Sequence, residues 1–220
     1  MQDFIIYPNF TGNPRNGADL ALIYLREAVE NITIPQFPQN DFVLPGDGTR
    51  LVGLGWGVTG THLLSRPLDS CLLLSDVNSN FADNLQVADE FLFTAQSTCE
   101  AVWDTVNNIS AMIDGSVICV RPSDRHVNDA SVSICDGDEG GPLIFLDTDS
   151  FDLNSRFLVT QGRPEVDIVY GIASFGPKKC GDEEFSVFTN IMEYLDWIDV
   201  TIRTYVPRNP SETPSSEVHH

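Results

Sequence analysis

Short apolar runs alternate with clusters of Gly, Pro, Asn and Asp along most of the chain. FIIY (4–7), LALIYL (20–25), RLVGLGW (50–56), LQVADEFLF (85–93), SVICV (116–120), GPLIFL (141–146), RFLVTQG (156–162), DIVYGIASF (167–175) and FSVFTNI (185–191) are rich in Val, Ile, Phe and Tyr. Runs of this length and residue choice predict β-strands, and the turn residues between them predict an all-β barrel or sandwich. One segment follows a different period. Ile191, Tyr194, Leu195, Ile198 and Ile202 recur at helical spacing, so NIMEYLDWIDVTIRTYV is expected to form an amphipathic helix packed on the sheet structure. After Pro207 the segment RNPSETPSSEVHH is polar and reads as a disordered tail.

Composition changes the picture in two ways. A chain of 220 residues with 42% hydrophobic positions can bury a sizeable core, which excludes disorder throughout. Twelve basic against thirty-two acidic residues leave a net charge of −20, which repels nucleic-acid phosphates and anionic membranes; such acidity serves solubility first and leaves a basic ligand or calcium open as a partner. No apolar run is long enough to span a bilayer. Five cysteines and three N-x-S/T sequons, at Asn9, Asn31 and Asn108, point to an oxidising, extracellular setting. FIIYPNF after Met1 lacks the features of a signal peptide, so any export signal is expected upstream.

The stretch ICDGDEGGPL (134–143) is the chemically suggestive one. Gly137, Gly140 and Gly141 let the backbone turn sharply with converging N–H groups, directly before the sheet-forming GPLIFL. In this setting the chain resembles the chymotrypsin/trypsin-like serine proteases, whose signature at this place is GDSGGP. Four further stretches carry the same resemblance in the same order: NGADLALIYL (16–25), GLGWGVT (53–59), YGIASFG (170–176) and FSVFTNIMEYLDWI (185–198). The resemblance implies an all-β, trypsin-like antiparallel barrel with a C-terminal α-helix, the second of the family's two barrels being complete and the first mostly missing. On that reading residues 1–32 are a remnant of the first barrel with its link, 33–206 the second barrel with its helix, and 207–220 the tail. FIIY and LALIYL would then lack strand partners and drive association through exposed edges.

The family's chemistry needs a serine nucleophile, a histidine that takes its proton and an aspartate that orients the histidine. The resemblance puts Asp19 at the aspartate position and Glu139 where the serine belongs. No histidine precedes Asp19; His62, His126, His219 and His220 all lie elsewhere. Backbone N–H groups of Gly137 and Glu139 would form the oxyanion site, with the Glu139 carboxylate able to fold back and compete for it. Asp138 would be the activation aspartate, and Ser133, Ser174, Phe175, Gly176 and Ser186 would line the substrate pocket and its strand edge. The resemblance also implies disulfides Cys99–Cys119 and Cys135–Cys180, each contributing roughly 3–4 kcal/mol. Leu51 and Phe145 stand where a third bridge would be and are expected to pack together instead. Cys71 is left over.

These readings imply a secreted, non-catalytic protease homologue that binds a protein or peptide. No cofactor or metal is expected. Two other readings stay open: a serine endopeptidase represented by an incomplete chain, and an acidic calcium-dependent structural or adhesion module suggested by DTDSFDLN (147–154). Trp56, Phe175 and Trp197 are expected in the core.

Overall fold

Six of the predicted strands close on one another. The structure, a computed structural model, describes residues 3–39, 45–58, 81–106, 111–123, 133–145, 165–177 and 185–205. Strands β1 (Asp3–Ile6) and β2 (Ala21–Tyr24) form a two-stranded sheet; β3 (Arg50–Gly55), β4 (Gln86–Thr94), β5 (Val117–Pro122), β6 (Pro142–Phe145), β7 (Ile168–Phe175) and β8 (Ser186–Asn190) form a closed barrel in the order β3-β4-β5-β8-β7-β6. Every pairing between these strands is antiparallel. Closure removes the unpaired edges that a flat sheet of this apolarity would present. RFLVTQG and the acidic DTDSFDLN lie outside the described residues.

The barrel is filled by side chains from all six strands, with Leu51, Phe91, Val120, Leu143, Tyr170 and Phe188 among the most deeply buried. Phe91 and Phe188 meet edge to face, with centroids 6.0 Å apart. Register shifts in β3, β6 and β7 bend the short strands around this core. Leu51 is fully buried, and Phe145 packs against the same cluster, so apolar packing holds the place expected for it. At the end of the barrel marked by the pair Gly171 and Asn190, a cavity of about 150 Å³ is lined by Phe93, Thr94, Tyr170 and Asn190.

One helix has no counterpart in the strand reading. Helix α1 (Gln96–Val106) follows β4 directly. Cys99, Val102 and Trp103 pack with Cys119, Phe175 and Val187 in a second cluster on the outside of the barrel. The disulfide Cys99–Cys119 ties this helix to β5 across a Cα separation of 6.1 Å. Cys99, Val102, Trp103 and Val106 have the i, i+3, i+4, i+7 spacing of a helix face, a signal diluted by the surrounding Ser, Thr and Asp.

FIIY and LALIYL find a partner in each other. Phe4 pairs with Ile23 and Ile6 with Ala21. The inner side of this hairpin, with Tyr7, Leu20 and Leu22, packs on Ile191, Tyr194 and Ile198 of the C-terminal segment. Tyr7 is clamped edge-on between Tyr194 (4.9 Å) and Trp197 (5.1 Å). The outer side keeps Phe4, Ile6, Ile23 and Leu25 about half exposed. The expected helix is present as a 3-10 turn, Ile191–Tyr194, followed by α2 (Leu195–Thr204). Its packed face ends at Ile198: Ile202, expected in that face, is exposed, and the end of the helix meets the hairpin through Tyr24, which donates to Thr201 O and stacks on Tyr205. Trp56 also departs from expectation, being 57% exposed.

Two stability outcomes follow. Replacing Cys99 and Cys119 together by Ala should lower unfolding free energy by about 3 kcal/mol, as read from urea midpoints, since the bridge closes a loop spanning 20 residues. Burial pushes the phenols of Tyr170 and Tyr194 above their ordinary value. The unfolded chain ionises these groups first, so stability is intact below pH ~10 and declines as pH rises above it, which a series of urea midpoints at increasing pH will register.

Candidate functional site

The loop from Ser133 to β6 is built by its glycines and held by one side chain. Gly137 (φ +94°) and Gly140 (φ +84°) occupy the left-handed region and reverse the chain twice within four residues. Within the loop Asp138 N–H donates to Cys135 O and Gly141 N–H to Asp138 O, both at 2.9 Å. Two further bonds stitch it to β7: Gly140 N–H to Ala173 O (2.9 Å) and Ala173 N–H to Gly141 O (2.8 Å).

Asp138 points inward, away from solvent-facing Asp136. Its Oδ1 accepts Gly57 N–H at 2.7 Å and its Oδ2 accepts Cys135 N–H at 2.9 Å. The carboxylate lies so close to Gly55 and Gly57 that a Cβ at either would overlap it. This is the physical reason for the small residues flanking Trp56 in GLGWG. Val58 N–H donates to Asp136 O at 2.9 Å, which zips the end of β3 to the loop. Phe81, paired with Val58, lays its ring on the loop: a Cβ on Gly137 would meet that ring at 2.5 Å.

Glu139 turns back on its own loop. Its Oε2 accepts Gly137 N–H at 2.8 Å, in an exposed position. Glu139 N–H donates to no acceptor among the described residues.

Asp19 is delivered from the hairpin side. Gly17 and Ala18 both have positive φ, at 72° and 58°, so the chain bends sharply just before it. Asp19 Oδ2 accepts the Ser174 hydroxyl at 2.6 Å, and Asp19 O accepts the Thr189 hydroxyl at 2.7 Å. The structure therefore brings Asp19 and the glycine loop to consecutive residues of one strand, the loop bonding Ala173 and the aspartate bonding Ser174.

The remaining expected pocket residues are packed tightly. Ser174 and Ser186 are buried, and Ser186 Oγ accepts Ile134 N–H at 3.1 Å. Phe175 is buried against Trp103, with centroids 5.3 Å apart. Gly176 lies directly on Ile134; a Cβ there would sit 2.8 Å from Ile134 Cγ1 and 2.9 Å from its carbonyl oxygen. Two segments in such contact leave no width between them for an inserted side chain at that level. Ser133 is half-buried. Cys135 is disulfide-bonded; Cys180, its expected partner, lies outside the described residues, as do Asn108, Cys71 and all four histidines. Asn9 and Asn31 are exposed.

Sequence reasoning missed three participants. Thr189 and Ile134 are ordinary strand and loop residues whose contacts appear only when β7 and β8 are placed. Phe81 lies 24 residues beyond Gly57 and nothing local marks it as a neighbour.

Comparison with known proteins places this geometry. A family model described as Trypsin matches residues 1–198. Among curated proteins, ovochymase of Halocynthia roretzi is 24% identical over 205 residues, covering 91% of this chain and 10% of that protein. Serine protease ea of Drosophila melanogaster is 26% identical over 215 residues, covering 91% of this chain and 43% of that protein. The chain thus spans well under half the length of these relatives. Among solved structures, neuropsin, a serine protease expressed in the limbic system of mouse brain, superposes with a TM-score of 0.60 at 22% identity, covering 91% of this chain and 70% of that one. With the family model spanning nearly its whole length, the chain belongs to the trypsin family.

Proposed function

We propose that this protein is a secreted trypsin-family member that acts by binding a protein or peptide and not by hydrolysis. The observation that carries this reading is the Glu139 carboxylate, which is bonded to Gly137 N–H; on the family resemblance it takes the place of the serine nucleophile. Loss of a triad nucleophile removes about a million-fold in rate, roughly 8 kcal/mol of transition-state stabilisation. The contact of Ile134 with Gly176 supports the same reading, because the space a substrate side chain would need between those segments is filled. Ser174–Gly176 remains the segment for an extended peptide to join by strand addition, and the net charge of −20 favours a basic one. Asp19, bonded to Ser174 and carrying no imidazole among the described residues, serves on this reading to hold β7 in place for that contact. Asn9 and Asn31, both exposed, suit glycan attachment on the secretory route.

The full-length protein and its Glu139→Ser variant, tested with a serine-reactive phosphonate probe and a mixed peptide library, decide the matter. Neither should be labelled or cleave; cleavage by the unmodified protein overturns the reading. In a second prediction, Asp138→Ala should lower stability by about 2–4 kcal/mol in urea unfolding and speed hydrogen exchange at Gly57, since two backbone N–H groups lose a charged acceptor. Asp138→Asn, which keeps one acceptor, should fall between.

A further inference from the structure

The cavity of about 150 Å³ at the Asn190 end of the barrel takes no part in the site described above. Phe93, Ile113, Val117, Ile118 and Tyr170 supply most of its wall, and none of the described residues lining it carries a charge at neutral pH. Burial raises the Tyr170 phenol above its ordinary value, which keeps that wall neutral. Thr94, Ile118 and Tyr170 are buried and form the closed end, while Gln96 and Gly115 are exposed and mark the mouth. Side-chain amides brace the mouth: Gln96 Nε2 donates to Ile113 O at 3.1 Å and Asn190 Nδ2 to Gly115 O at 2.8 Å. Asn190 Oδ1 in turn accepts Met192 N–H at 3.2 Å. These polar groups are committed to the protein, so the opening is held in shape without a ligand. Thr94 Oγ1 differs: it donates to Leu92 O at 3.3 Å and accepts no hydrogen bond among the described residues.

We propose that this cavity is a binding site for a neutral, single-ring aromatic molecule with one O–H or N–H donor, its ring held among Phe93, Ile118 and Tyr170 and its donor directed at Thr94 Oγ1. An apolar cavity of about this volume stays dry and takes up one benzene-sized ring. Aromatic side chains in the wall add edge-to-face or offset contacts to the ring. The donor is selected because a buried hydroxyl with an unused acceptor position gains a hydrogen bond from it that an unsubstituted ring cannot give. Charge selects against ions. The net charge of −20 repels an anion, and a cation would surrender its hydration with no carboxylate in the wall to replace it. Volume selects against a second ring. The site is separate from the strand segment Ser174–Gly176 and does not depend on the peptide-binding reading.

The test titrates the full chain, isotope-labelled at isoleucine and valine methyls, with phenol. Methyl resonances of Ile113, Val117 and Ile118 should shift saturably, with half-saturation on the order of a millimolar or below. Those of Ile23 and Ile202, exposed elsewhere on the surface, should stay in place. Benzene should reach the same methyls about three- to tenfold more weakly, for want of the hydrogen bond. Benzoate and benzylammonium should leave them unchanged, and so should 4-phenylphenol, which carries the same hydroxyl on two rings. Thr94→Val keeps the shape of the wall and should bring phenol down to the affinity of benzene. Val117→Phe fills the cavity from its side and should abolish binding. The proposal is overturned by unsaturable shifts in the unmodified protein, by equal shifts at Ile23 and Ile202, or by phenol affinity that Thr94→Val leaves unchanged. Should Val117→Phe fail to fold, the unmodified protein still decides: equal binding of phenol and 4-phenylphenol rules out a cavity of this size as the site.

Discussion

The Asp138 carboxylate is the point on which the site's architecture turns. It gathers the N–H groups of Gly57 and Cys135, two stretches of chain that are otherwise joined by the single backbone bond from Val58 N–H to Asp136 O. With those stretches fixed, the end of β3, the glycine loop and β7 become one hydrogen-bonded unit, and Asp19 attaches to its far side through Ser174. A charged acceptor taking two backbone donors in a partly buried place is stronger than the neutral bonds around it. The glycines on either side of Trp56 are the steric condition for that arrangement, since any side chain there would displace the carboxylate.

Asp138 turns inward onto Gly57 and Cys135, and the residue beside it turns back onto Gly137. Beside β7, Ile134 rests on Gly176 and Ser186 holds the Ile134 amide. These two features involve different residues, so a substitution at 139 leaves the contact of Ile134 with Gly176 in place.

Much of this was legible from residue order. Short runs rich in Val, Ile, Phe and Tyr between turn residues mark the barrel strands; DIVYGIASF and FSVFTNI are found almost where their composition put them. The sharp turns at Gly137 and Gly140 were legible from the glycines themselves, and the Cys99–Cys119 bridge from the family resemblance. Helix α1 was hidden by polar neighbours, although its apolar positions had the right interval. The closure by Ile134 was invisible because it depends on how two loops sit across a gap, and neither carries a local mark of the other. The pairing of FIIY with LALIYL was missed for a related reason: both runs were assigned to absent partners, when each could satisfy the other.

That hairpin has a consequence for how the molecule is made. Tyr24 reaches Thr201, 177 residues later, and Tyr7 is clamped by rings at 194 and 197. At ordinary elongation rates the hairpin leaves the ribosome roughly ten to thirty-five seconds before the segment that covers it. Its inner apolar face waits that long for Ile191, Tyr194 and Ile198, so this docking comes late in synthesis.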